Sequence, residues 1–287
     1  MGRHRKAHSQ AWWPVLFSAG LFLAGPPPAA GSAQTKPEGQ GIAILTTGYY
    51  WADANFDRSY GKDTTPFGGN GRFDKIAESL WFEYGYTDDL NFLFSMETAH
   101  LTFQNDSRKS ENTGFGNPKF GAKYRFWNPE DLTASMWAVQ ADIEPPLRAG
   151  GSPSLGYREV EMEAALVASR RSEAFGWPFS VSGSLGYRFR AGGAADEWRA
   201  KYSLSRGASG WLYWAGIDAQ FSVGNERNPT SSTNPQQAPD FDRVTVSTFV
   251  SRRLTRSYWI QLGGAIDVAG RNTGQGKEVK LGIWYTF

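Results

Sequence analysis

The last eleven residues, Lys277 to Phe287 (KEVKLGIWYTF), restrict the fold more than any other stretch. Val279, Leu281, Ile283, Tyr285 and Phe287 alternate with Lys280, Gly282, Trp284 and Thr286. A strand points successive side chains to opposite faces, so one face here is apolar and ends in two aromatics, while the other carries a lysine and a glycine. A soluble sandwich can hold one such strand. A series of them, each aromatic-rich on one side and polar on the other, fits a closed barrel with lipid outside.

The alternation recurs along the chain. Phe120, Ala122, Tyr124 and Phe126 oppose Lys119, Lys123 and Arg125, and Met162, Ala164 and Leu166 oppose Glu159, Glu161 and Glu163. Phe179, Val181, Tyr187 and Phe189 oppose Arg188 and Arg190; Trp198, Tyr202 and Leu204 oppose Arg199 and Lys201. Trp211, Tyr213 and Ile217 oppose Asp218, Val244 and Val246 oppose Arg243, and Ile266 and Val268 oppose Asp267. Upstream, Ile76, Leu80, Phe82 and Tyr84 oppose Lys75, Ser79 and Glu83. Only residues 132–143 are ambiguous, because Trp137, Val139 and Ile143 compete with Met136 and Ala138. The charged residues from Lys119 to Lys280 in these alternations are the expected lining of an interior path. Packing such cations into a dry core costs far more than pairing returns, whereas a wet barrel interior accommodates them.

Connections of unequal length give a second signal. Long polar links (Gln104 to Gly114, Pro145 to Leu155, Gly224 to Asp240, Gly270 to Gly276) alternate with short ones at Asn128 to Asp131, Gly207 to Gly210 and Arg253 to Arg256, and with a longer one at Arg170 to Pro178. Membrane barrels have short periplasmic turns and longer outer loops. The expectation is an all-β fold: a single antiparallel, up-and-down transmembrane β-barrel of about twelve strands, both termini periplasmic.

The mean hydropathy of −0.48 excludes a bundle of apolar membrane helices, yet suits a barrel whose interior is polar. With no cysteine, disulfides, thiolate metal sites and a cysteine nucleophile are all excluded. Residues 1–33 read as a signal peptide: Arg3, Arg5 and Lys6 precede an apolar core at Ala11 to Gly25, and cleavage is expected after Ala33. Removing those three cations turns 30 basic against 28 acidic residues into 27 against 28, a mature charge of −1. No nucleic-acid partner follows from that balance. Residues 34–287 form one domain.

Sites of chemistry are weak. His100 is the histidine left after the signal peptide, but its same-face neighbour is Thr102, and no serine is placed to act as its nucleophile. Asp53, Asn55 and Asp57 imitate the start of a calcium loop, but Arg58 and Thr64 stand where the glycine and closing glutamate belong. No enzyme activity, catalytic residue, metal site or cofactor is expected.

The segments KPEGQGIAILTTGYYWADANFD, WFEYGYTDDLNFLF and TGFGNPKFGAKYRFW, with the terminal aromatic, resemble a broad bacterial group. Its members are outer-membrane transporters of the MetA phenol-degradation pathway type and XagA-like barrels linked with exopolysaccharide genes. The resemblance covers most of the mature chain through strand starts, turns and the closing strand. It implies outer-membrane location and a channel, and carries over no catalytic residues. The expected role is a passive pore or conduit for small or polysaccharide solutes. The alternatives are an outer-membrane enzyme of lipase or protease type and an adhesion barrel acting through its loops. Expected partners are outer-membrane lipid and the barrel assembly machinery, which the strand ending in Phe287 would engage.

Overall fold

A computed structural model describes residues 32–56, 64–131, 134–147, 153, 155–156, 159–174, 177–192, 194–223 and 240–287. The strands are β1 (Gly41–Phe56), β2 (Thr64–Pro66), β3 (Arg72–Gly85), β4 (Leu90–Asn105), β5 (Arg108–Phe115), β6 (Lys119–Trp127) and β7 (Met136–Glu144). They continue as β8 (Glu161–Ala174), β9 (Trp177–Arg190), β10 (Asp196–Ala208), β11 (Trp211–Val223), β12 (Asp242–Arg253), β13 (Tyr258–Arg271) and β14 (Thr273–Thr286).

Every strand except β2 and β5 belongs to one antiparallel circuit, making twelve in all. It closes where β14 pairs β1, from Ile42 opposite Thr286 to Phe56 opposite Thr273. Closure leaves no free edge, as a lipid environment demands. Gly41 N–H donates to the Phe287 carbonyl at 2.9 Å, so the circuit's first and last residues meet at one end of the barrel, here the near end.

The face rule holds on the outside. Leu281, Ile283, Tyr124 and Leu166 are exposed at 51, 52, 51 and 45%, while the inward Glu161 and Arg190 keep 2 and 4%. β7 resolves the ambiguous stretch: Met136 and Ala138 are buried inside, and Trp137, Val139 and Ile143 are exposed.

Three expected links are mostly strand instead, one of them Arg170 to Pro178, which β8 and β9 take up from either side. Gln104 to Gly114 is largely the β4–β5 hairpin, turning at Asp106 and Ser107, where Asn105 Oδ1 accepts the Ser107 and Arg108 N–H groups at 3.1 and 2.9 Å. That side-chain turn lets a polar sequence stay paired. Gly270 to Gly276 is also mostly strand, because β13 and β14 meet across Asn272 alone, at φ 55°. Asparagine tolerates this left-handed backbone at low cost. At the near end, Ser209 and Gly210 form another tight turn with φ 49° and 78°. The expected links at Gly224 to Asp240 and Pro145 to Leu155 fall mostly outside the described residues.

Candidate functional site in the barrel interior

Inward positions of β6 to β10 carry an ionic lattice. Register places Glu161 opposite Arg190, and Glu163 opposite both Arg188 and Asp142, with all side chains on the inner face. Arg188 Nη1 donates to Glu161 Oε2 at 2.6 Å, and its Nη2 and Nε donate to Glu163 Oε2 at 2.9 and 3.1 Å. Arg190 pairs with Glu161 at 2.7 Å and also with Glu197; Arg199 donates to Glu163 at 3.0 Å. Lys119 stands 4.0 Å from both Asp142 and Glu163. This lattice fills the wall with forked, charge-assisted bonds.

The other expected lining residues are more scattered. Lys201 and Asp218 face each other across β10 and β11 at 3.2 Å, with side chains 42 and 30% exposed. Asp267 accepts the Thr245 hydroxyl at 2.6 Å and is buried, and Arg243 reaches Gln220 at 3.3 Å. Lys280 pairs with Glu278 at 2.9 Å. Arg125 bonds Asp89 at the near rim at 2.8 Å, so it caps a turn rather than lining the middle of the barrel. Glu159 precedes β8, where its Oε2 accepts the Ala194 N–H at 3.3 Å.

At the near mouth a strand of polar contacts holds the segment before β1. Lys123 pairs with Glu83 at 2.6 Å and donates to the Ser32 carbonyl at 3.2 Å. Ser169 Oγ accepts the Ala33 N–H at 2.7 Å, and Glu38 N–H donates to Asp88 Oδ1 at 3.0 Å. Ala33 packs on Met136, Ala138 and Val167. Burial in this segment pushes the Lys36 ammonium below its ordinary pKa.

Three cavities lie in series. One of about 400 Å³ in the far half is lined by Lys75, Glu97, Arg199, Gln220 and Arg243. One of about 230 Å³ shares Lys119 and Ser95 with it. That second space shares Trp81 and Lys201 with a third, of about 360 Å³, whose walls include Trp214, Phe249, Gln261 and Trp284. The aromatic near chamber was not anticipated: its rings occupy the faces counted as polar. The signal was present in Trp81 and Trp284, which share parity with Lys75 and Lys280.

A closed twelve-stranded antiparallel barrel with an apolar outer wall and a charged, hollow interior is a fold of outer-membrane β-barrels. No family model matches the chain, and no curated protein matches it. Among solved structures it is similar to the COG4313 outer membrane channel from Pseudomonas putida F1, with a TM-score of 0.72 and 12% identity over 91% of this chain and 100% of that one. It is also similar to the translocator domain of the autotransporter NalP from Neisseria meningitidis, with a TM-score of 0.50 and 9% identity over 88% and 90% of the two chains. The transport unit of the autotransporter AIDA-I from Escherichia coli gives 0.50 and 11% over 87% and 91%. At these identities the likeness establishes the fold.

Proposed function

We propose that this protein sits in the bacterial outer membrane and is a passive conduit for small solutes, without catalysis of its own. The observation that carries the reading is the series of three adjoining cavities through the interior, each sharing lining residues with the next. The near end, with both ends of the strand circuit and its tight turns, is the periplasmic end in this reading. The basic and apolar N-terminal residues up to Gly25 direct export, and the strand ending in Phe287 engages the assembly machinery.

Within the resembled group, the MetA phenol-degradation type fits better than the exopolysaccharide-linked XagA type. Chambers of about 230 to 400 Å³ suit a small solute, and the indoles of Trp81, Trp214 and Trp284 suit one with an apolar face. The interior cations are largely neutralised, since Arg188, Arg190 and Arg199 are held by glutamates. Any ionic bias falls on Lys201, the most exposed cation among those pairs. Single-channel recording of the folded barrel in planar bilayers tests this: step conductance is expected, and its absence at every salt concentration removes the conduit.

A further inference from the structure

On the outer wall of the barrel, among the described residues, one charge stands away from the strand ends. Glu78 is exposed midway along β3, between the exposed apolar Ile76 and Leu80. The outward charges elsewhere on the described barrel strands lie near strand ends, as Arg206 and Arg252 do at the near end and Asp74 and Lys277 at the far end. Glu78 makes no hydrogen bond or ion pair with any described residue. It sits in a row of short polar side chains, with Thr47 opposite on β1 and Thr98 opposite on β4. One residue pair further on, His100 is exposed on the same wall opposite Ile76. Its Nδ1 is 2.6 Å from the Thr113 hydroxyl, while Nε2 keeps only a long 3.3 Å contact with Thr102.

A lone carboxyl facing hydrocarbon is costly and calls for a partner within the membrane. The same patch carries that partner: an acid and an imidazole one diagonal apart. We propose that this wall of β3 and β4 is the contact between two copies of the chain, related by a two-fold axis along the membrane normal. This rests on the membrane placement above and is independent of solute passage. Two copies inserted in the same direction keep every residue at its own depth, and an isologous contact makes each pairing twice. With the axis between β3 and β4, Glu78 of each copy meets His100 of the other. Strands about 4.8 Å apart leave that offset within the reach of both side chains. Thr98, beside the axis, is small enough for the walls to approach, as small and hydroxyl-bearing residues allow at contacts in lipid.

The chain has no cysteine, so a single introduced thiol reports the contact cleanly. Thr98→Cys in outer membranes is expected to form an oxidative dimer; Ile217→Cys, equally outward on β11, is expected to remain monomeric. Light scattering of the unmodified barrel in mild detergent gives the same answer without a substitution, and the heat-shifted gel mobility of folded barrels verifies that each variant is folded. Glu78→Leu is expected to reduce the dimer at least tenfold, and Glu78→His combined with His100→Glu to restore it. A monomer by scattering with no Thr98 cross-link overturns the proposal, as does a dimer that Glu78→Leu leaves intact. Loss of channel conductance with the dimer retained counts against the conduit alone.

Discussion

Replacing Arg188 with methionine keeps most of the side chain's length and removes its charge, leaving Glu161 and Glu163 without their shared partner. The guanidinium makes three short bonds to these carboxylates, and its side chain is only 9% exposed. Breaking a buried ion pair from one side costs about 3–5 kcal/mol, because a desolvated charge is stranded. Arg190 and Arg199 still touch the same two glutamates and hold the loss near the lower figure, about 3 kcal/mol. For a chain of this size that corresponds to a drop of roughly 6–12 °C in the unfolding midpoint. The matched control is Lys201→Met, whose pair with Asp218 is 3.2 Å long but wet, with side chains 42 and 30% exposed. A wet pair contributes about 0–1 kcal/mol, so its midpoint moves by about 4 °C at most. Both midpoints are read from the heat-shifted gel mobility of the barrel in detergent, with circular dichroism as the second probe. If Arg188→Met falls no further than Lys201→Met, the lattice is not the desolvated network its geometry describes.

Lys201→Glu places two acids across β10 and β11 beside the near chamber and is expected to shift ion selectivity toward cations in bilayer recordings; an unchanged reversal potential removes Lys201 from the path. Gly276→Val is expected to lose about 1–3 kcal/mol, because a Cβ there overlaps the ring of Tyr50, which is itself held by Asp267. The same assay gives a lowered midpoint, or failure to regain the folded gel mobility. Lys36 gives a pH signature. Burial holds its folded pKa below the ordinary 10.5, so the unfolded chain binds more protons in the window between the two values. Stability therefore rises with pH through that window and loses the penalty fully only above it. Lys36→Met should flatten the rise in urea titrations; an unaltered slope assigns it elsewhere.

The outer wall was legible in the sequence because one physical rule governs it: every second side chain meets lipid or a girdle. Val279 to Phe287, Phe120 to Phe126 and Trp211 to Val223 obey that rule without knowledge of any neighbour. The interior was legible only as a class. That Glu161 and Glu163 share Arg188 depends on the β8–β9 register, which a single strand's pattern does not contain. The hairpin at Gln104 to Gly114 was hidden for a different reason. Past the His100–Thr113 pair its strands leave the apolar belt, so polar residues such as Asn112 and Lys109 occupy both faces and the alternation vanishes. Glu78 was missed because a two-sided pattern with one exception still reads as a pattern.

Barrel width explains why the interior holds both an ionic lattice and aromatic rings. Twelve strands enclose more space than one layer of small aliphatic side chains fills, while remaining narrower than an open porin. Inward positions must therefore hold water or carry side chains long enough to reach across. Arginine paired with glutamate does this on β8 to β10, where Arg188 on β9 also comes within 3.9 Å of Glu144 on β7, two strands away. On β1 and β11 to β14 tryptophan, phenylalanine and tyrosine do it, and the strands beside them thin to glycine to make room. A Cβ at Gly263 would overlap Phe249, just as one at Gly276 would overlap Tyr50. Long side chains on one strand and bare backbone on its neighbour thus leave three linked chambers rather than either a solid core or an open pore. A change that shortens one of those rings, such as Trp81→Ala, removes a wall shared by the middle and near chambers, whereas a change on the outer wall leaves their volumes as they are.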